Sequence, residues 1–296
     1  MNKRRTGSIM RRQAAVVLFL ISILVLVMLV QTFFRRPKRT IVAGSLNRNR
    51  TTEESTLTDL KHGVLYIPSS TKNDEVRPLA VVFDPSGYAE GSLSRWREHA
   101  DRFGFLLYCS REYRNFFEDQ QRLRFAVFCR IKALVAVYHI DTSRIIMGGI
   151  SGGGSFSHAM AEATFPGLAS ILANVGRIWE MDYEVVSSQL YPSLLQRSGA
   201  DKTRRLAAFL ASPTDFRFEE MKRDRALLEK LGWETLWVEF TGGHMGAPDD
   251  VYARALDWML TSERWTSSGL SNFESNLDTA SQLYAIYKTW DPPVIS

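Results

Sequence analysis

One stretch limits the folds open to this 296-residue chain more than any other: Ile145-Ile146-Met147 running into Gly149-Ile150-Ser151-Gly152-Gly153. A short apolar run enters it. Phe156, Ala159, Met160 and Ala163 leave it at helical spacing. Strand, G-x-S-x-G and helix in that order describe a sharp turn that exposes a serine hydroxyl at a sheet edge. Glycine on both flanks avoids collisions with the turn. The amide of Gly152 falls at a helix N-terminus, where it can face a developing negative charge. Taken alone, the pentapeptide also fits an ordinary glycine-rich strand-to-helix turn.

A reactive serine needs a histidine base, and the base needs a carboxylate to hold its tautomer. Of His62, His99, His139, His158 and His244, only the last two follow Ser151. His158 lies within the helix leaving the turn and reads as a packed or partly exposed helix residue. His244 sits in Thr241-Gly242-Gly243-His244-Met245-Gly246, just after the strand-like Leu236–Phe240, where a side chain can project freely. The acid is expected at Asp215, after the buried-strand run Leu206–Ala211 and Ser212-Pro213-Thr214, and before a helix pattern from Phe218 to Leu231. Aspartate in that place also serves as an ordinary helix N-cap. Glu219 and Asp224 fall inside the helix, and no clear strand precedes Asp182 or Asp201. Ser151, Asp215 and His244 each end a separate strand, in the chain order Ser, acid, His.

On these residues the segment from about Leu79 to Trp258 resembles an α/β-hydrolase. It is most similar to serine esterases related to polyhydroxybutyrate depolymerases and feruloyl esterases. The likeness rests on Gly149–Gly154, on Ser212-Pro213-Thr214-Asp215, and on Gly242-Gly243-His244 with Ala255-Leu256-Asp257-Trp258. It implies Ser151 as nucleophile, His244 as base and Asp215 as orienting acid, with no cofactor. One departure stands out. The family follows its first central strand with a His-Gly-x-Gly type loop whose backbone completes the oxyanion hole. Here Leu79–Phe83 is followed by Asp84-Pro85-Ser86-Gly87-Tyr88. Pro85 has no N–H to give, so the second donor is expected from Ser86, Gly87 or Tyr88, with Gly87 favoured beside Gly152. If the Asp84 carboxylate points inward it opposes the oxyanion; if it points away it braces the loop.

Apolar strands alternating with helices predict a mostly parallel central sheet with helices on both faces. His62–Pro68 reads as an opening antiparallel strand. Phe105–Tyr108 and Ala169–Val175 read as further strands, and helices are expected near Leu93–Phe103 and Glu118–Tyr138, with Asp141-Thr142-Ser143 punctuating the chain before the serine strand. Residues 176–203 interrupt the rhythm. They read either as a cap that lends Arg177, Trp179, Met181, Tyr183 and Tyr191 to a substrate pocket, or as a helical excursion packed on the body. Tyr88 is a further pocket candidate. Arg111, Arg114 and Asn115 either border the pocket or lie in a solvated loop. No spacing suggests a phosphate-binding loop or a metal site.

Ala14–Phe34 is uncharged and apolar, and 21 such residues span about 31 Å as a helix, enough for a bilayer core. Arginines follow it where a cleavage site would stand, which favours a retained anchor over a signal peptide. The expected organisation is a basic cytoplasmic tail at 1–13, a transmembrane anchor at 14–34, a polar linker at 35–58, the hydrolase domain at 59–262 and a C-terminal extension with a docking helix at 263–296. The short basic tail predicts an extracytoplasmic catalytic domain. Eleven of the 37 Lys and Arg lie in residues 1–50, which hold no Asp or Glu; the remainder carries 26 basic against 32 acidic residues, net −6. The overall charge of +5 thus belongs to the membrane segment and gives nucleic-acid binding no support. Cys109 and Cys129 are expected as free thiols. The function expected is a membrane-anchored esterase on a small-molecule or lipid-like ester. A peptidase or amidase on the same residues, and a non-catalytic tethered binding module, are the alternatives.

Overall fold

Leu79–Phe83, Ile145–Met147 and Leu206–Ala211 are apolar at every position, so neither face of such strands tolerates water. The computed structural model, which describes residues 55–69, 76–166, 168–197 and 205–260, places them at interior positions of an eight-stranded sheet. In chain order the strands are β1 (Thr56–Leu60), β2 (Gly63–Ile67), β3 (Arg77–Phe83), β4 (Leu106–Ser110), β5 (Ile140–Ile150), β6 (Ser170–Asn174), β7 (Leu206–Ala211) and β8 (Glu234–Glu239). Their spatial order is β1-β2-β4-β3-β5-β6-β7-β8. β1 pairs antiparallel with β2, and β2 antiparallel with β4; all other pairs are parallel.

Alternate residues of these strands feed two cores. Ala80, Val82, Ile146, Leu172, Ala208 and Leu210 face α1 (Ala89–Phe103) and a C-terminal helix at Asp249–Leu260. Trp96 and Tyr252 join those two helices edge to face at 5.5 Å. On the other face, Leu79, Val81, Met147, Ile171 and Phe209 meet α2 (Gln120–Val137), whose Leu123, Val127, Ile131 and Leu134 recur at helical spacing. Each such side chain, fully buried, contributes about 1.5–3 kcal/mol. Asp119 starts α2 by accepting the Arg122 amide at 3.0 Å. The helix leaving β5, α3 (Gly152–His158), runs straight into a π-helical turn, Ala159–Thr164. Helices α4 (Glu180–Ser187), α5 (Tyr191–Arg197) and α6 (Phe218–Lys230) follow, and Asp249–Leu260 is α7.

Two strands differ from expectation. β5 begins at Ile140, so Asp141-Thr142-Ser143 lies inside it. The polar side chains close on themselves: Asp141 accepts the Ser143 amide at 2.9 Å and Arg144 Nε at 2.7 Å. β1 occupies Thr56–Leu60, part of the stretch expected to be linker. It is an edge strand whose Thr and Asp positions tolerate exposure. Both cysteines are free, Cys109 buried and Cys129 half-buried. The tail, the apolar segment at 14–34, the linker up to residue 54 and the extension at 263–296 lie outside the described residues. Among the described residues no helix is long and apolar enough to cross a membrane.

The glycines around Ser151 answer to their neighbours. A Cβ on Gly149 would press on the Phe83 carbonyl and lie 2.6 Å from the Gly153 carbonyl carbon. Both are backbone and cannot swing aside. Gly149→Ala is therefore expected to destabilise the fold by roughly 3 kcal/mol, read as a lower denaturant midpoint at unchanged slope. An unshifted midpoint would contradict the close approach of β3, β5 and α3.

Candidate active site

Ser151 stands between β5 and α3 with φ 54° and ψ −119°, a conformation that costs a non-glycine residue of order 1–3 kcal/mol. Its amide donates to Asn174 O at 2.8 Å and its carbonyl accepts from Ser155 N at 3.0 Å. The strained turn is thus held from both sides, and the hydroxyl is left clear of its own backbone. Ser151 Oγ lies 2.7 Å from His244 Nε2.

His244 arrives from the loop after β8. Gly243 N donates to Ser212 Oγ at 2.9 Å, and Asn174 Nδ2 reaches Met245 O at 3.5 Å, so the loop is pinned on both sides of the imidazole. His244 Nδ1 lies 2.6 Å from Asp215 Oδ2. An ionised carboxylate only accepts, so Nδ1 carries the proton and Nε2 is free to accept from Ser151. Asp215 follows β7. Its amide donates to Ser212 O at 2.9 Å, and its other carboxylate oxygen accepts the Arg217 amide at 2.6 Å. The carboxylate is fully buried, whereas the imidazole is 29% exposed. Phe216, with its ring centroid 4.5 Å from that of His244, partly covers it. The three sequence candidates therefore form one hydrogen-bonded line across the carboxyl ends of β5, β7 and β8, the edge where sheets of this kind hold ligands.

The loop after β3 corrects one expectation. Gly87 N, expected to face an oxyanion, donates instead to Asp84 O at 3.0 Å. Asp84 Oδ1 accepts Ser86 N at 2.8 Å, the Ser86 hydroxyl, and Tyr88 N at 3.3 Å. The carboxylate thus braces its own loop, and every amide the loop owns is turned onto Asp84. Asp-Pro-Ser-Gly is a type I turn signature, with Asp at the first position and Pro at the second, so this bond was legible in the sequence. Gly152 N is different: as the first residue of α3 it has no carbonyl within the helix to meet.

The loop after β4 contributes more than sequence reading gave it. Asn115 N donates to Pro85 O at 2.8 Å, tying this loop to the previous one. Tyr113 OH donates to Asn115 Oδ1 at 2.8 Å. A Cβ on Gly152 would run into Asn115 Oδ1 and stand 2.7 Å from Tyr113 OH. The Asn115 amide therefore lies directly against the residue after the serine. Burial pushes the Tyr113 hydroxyl pKa up, so it stays a neutral donor. Tyr113 stacks on Phe156 at 4.5 Å; no spacing rule would have singled it out. Arg111, by contrast, is a strut, with Nη1 on Asp59 at 2.6 Å and Nη2 on Glu90 at 2.9 Å. Arg114 is exposed and lies along Gly87.

Residues after β6 pack on the body. Asp182 of α4 takes both Nη atoms of Arg124 on α2, at 2.8 and 2.9 Å, with both side chains buried. A buried bidentate pair of this kind anchors α4 over α2 and the π-helical turn, where Arg124 also reaches Thr164 Oγ1 at 3.0 Å. Trp179 is half-buried, its ring 6.2 Å from Phe156 and 6.5 Å from Tyr113, on the same edge as Ser151. Tyr183 lies under the Arg223 guanidinium of α6 at 4.1 Å. Tyr88 is half-exposed, its ring over Gly91 of α1. Tyr191 is buried and donates to Glu162 O at 3.1 Å, and Met181 is exposed. His158 is buried, with Nδ1 2.6 Å from Glu162 Oε1 inside the π-helical turn.

Solved structures share this architecture. The chain is similar to esterase PE8, at 13% identity over 68% of this chain and 98% of that one, with a TM-score of 0.51. It is also similar to the substrate-bound Staphylococcus aureus fluorophosphonate-binding serine hydrolase FphF, at 11% identity over 70% of this chain and 98% of that one, with a TM-score of 0.50. No family model matches the chain, and no curated protein does.

Proposed function

We propose that this chain, an α/β-hydrolase by fold, is a serine hydrolase that cleaves carboxylic esters through an acyl-enzyme on Ser151. The observation that carries the reading is the line Ser151 Oγ to His244 Nε2 at 2.7 Å and His244 Nδ1 to Asp215 Oδ2 at 2.6 Å. In this mechanism Nε2 takes the Ser151 proton as Oγ attacks the ester carbonyl carbon. The carbonyl π electrons move to oxygen, giving an oxyanion. Asp215 stabilises the imidazolium without itself taking the proton. The imidazolium then protonates the leaving alkoxide, and water, deprotonated by the same nitrogen, releases the acid. Gly152 N is one oxyanion donor. The Asp84 loop amides are turned onto Asp84, and the Asn115 atom beside Gly152 is Oδ1, an acceptor, so Gly152 N is the oxyanion donor this reading rests on. The esterases and serine hydrolases of similar fold support the chemistry in kind, not the substrate.

The apolar, uncharged residues 14–34 between two basic clusters support anchoring in a membrane, with the catalytic domain on the extracytoplasmic side. The test of the chemistry is covalent labelling. A fluorophosphonate probe should modify the full-length protein at Ser151, located by peptide mass spectrometry, and phenylmethylsulfonyl fluoride should compete. Absence of label on folded protein at saturating probe would reject the reading and favour a non-catalytic module.

A further inference from the structure

Arg217 stands out among the charged groups of this edge because, among the described residues, no carboxylate pairs with its guanidinium directly; Asp215 and Glu220 act on it only at longer range. It follows β7, yet its Nη1 points to Val175 O, 3.4 Å away, at the end of β6. That is one strand nearer to β5, which carries the serine turn. Tyr113, whose hydroxyl abuts Gly152, lies within electrostatic range on the far side of β5. The guanidinium therefore reaches from the end of β7 to the end of β6, the strand next to the one that ends in Ser151. Its Nε is buried without a hydrogen-bond partner, and its one hydrogen bond to protein is the long one to Val175.

The neighbouring acids make their closest contacts with groups other than the Arg217 guanidinium. Glu180 and Glu220 hold Arg177 at 2.8 and 3.2 Å. Asp224 holds Arg223 at 3.0 Å and the Ile178 amide at 2.7 Å. The Asp215 carboxylate is filled by His244 and by the Arg217 amide, and Asp84 is turned into its own loop. Burial, then the nearby Arg177, pull the Arg217 pKa down, and Asp215 and Glu220 offset this only in part. A planar guanidinium matches a carboxylate in geometry as well as charge.

Resting on the serine-hydrolase reading, we infer that Arg217 receives a carboxylate on the substrate, so that this site is built for esters that carry a free acid group rather than for wholly neutral ones. The carboxylate stands on the acyl or the alcohol side of the ester, and two probes resolve which. p-Nitrophenyl hemisuccinate carries it on the acyl chain and is compared with neutral p-nitrophenyl butyrate. 4-Acetoxybenzoate carries it on the alcohol and is compared with 4-acetoxybenzamide.

In wild-type protein kcat/KM for at least one anionic probe should exceed that of its neutral partner by tenfold or more. In Arg217→Gln that ratio should fall at least tenfold, mainly through KM, and Arg217→Lys should restore part of it. Rising salt should erode the preference in wild type and leave the ratio in Arg217→Gln flat. A wild-type ratio near one for both pairs would overturn the inference. So would a fall in Arg217→Gln that is equal for charged and neutral probes, because that marks a structural strut for Asp215 and α6. Labelling separates the two levels of the argument: a neutral fluorophosphonate that labels Ser151 without any anionic preference leaves the hydrolase reading standing and removes only the carboxylate.

Discussion

Ser151→Ala should lower ester turnover by about a million-fold, the order of loss seen when a triad nucleophile is removed, with the melting temperature almost unchanged. The geometry gives both halves of this expectation. Oγ meets His244 Nε2 at 2.7 Å, so its loss removes the only atom in line to form the acyl bond. What holds the residue in its positive-φ turn is backbone: the bonds to Asn174 O and from Ser155 N. Alanine keeps both, and it keeps the Cβ that already fits. A partly exposed hydroxyl contributes little to stability, so the change should stay within about 0.5 kcal/mol. Steady-state hydrolysis of p-nitrophenyl acetate, with a thermal melt followed by circular dichroism, measures the two together. Turnover within tenfold of wild type would place the nucleophile elsewhere; a collapsed melt would mean that the serine side chain supports the turn.

What was legible beforehand has a physical pattern. Strands buried on both faces write themselves as unbroken apolar runs, so β3, β4, β6 and β7 were readable almost to their ends. The serine turn was readable because three backbones converge there and only glycine fits. His244 and Asp215 followed from the order of strand ends, a property of topology that the chain displays directly. β1 was not readable, because an edge strand may alternate Thr, Leu and Asp and so resemble a polar linker. Gly87 was misassigned for another reason. A glycine that can approach a ligand closely can also have its N–H already bound, and the turn signature Asp84-Pro85-Ser86-Gly87 announces that bond. Arg124 paired with Asp182, and Arg217 reaching the Val175 carbonyl with no ion pair among the described residues, lie beyond any pattern rule. Pairing across 58 residues, or its absence, is decided only when α4 folds back over α2 and when β7 hands its loop to the end of β6.

Asp215→Asn tests the subtlest part of the site, and it should cost about 10,000-fold in kcat with the fold intact, as expected when a triad histidine is held in the wrong tautomer. The reason lies in the second contact of the carboxylate. One oxygen accepts from His244 Nδ1 at 2.6 Å and the other accepts the Arg217 amide, also at 2.6 Å. Asparagine has one acceptor and one donor for these two places. The backbone N–H of Arg217 cannot become an acceptor, so the amide oxygen is drawn to it and the NH2 is turned toward the imidazole. His244 must then accept at Nδ1 and carry its proton on Nε2, which donates to Ser151 Oγ and can no longer take its proton. The opposite flip restores the imidazole but sets NH2 against N–H at the start of α6, inside a fully buried site. Measured against p-nitrophenyl acetate, the loss should fall on kcat, and fluorophosphonate labelling of Ser151 should slow in proportion. Asp215→Glu, which keeps two acceptors, should recover part of the rate. Near-normal turnover in Asp215→Asn would mean that another group orients His244, and that Asp215 serves only to start the helix.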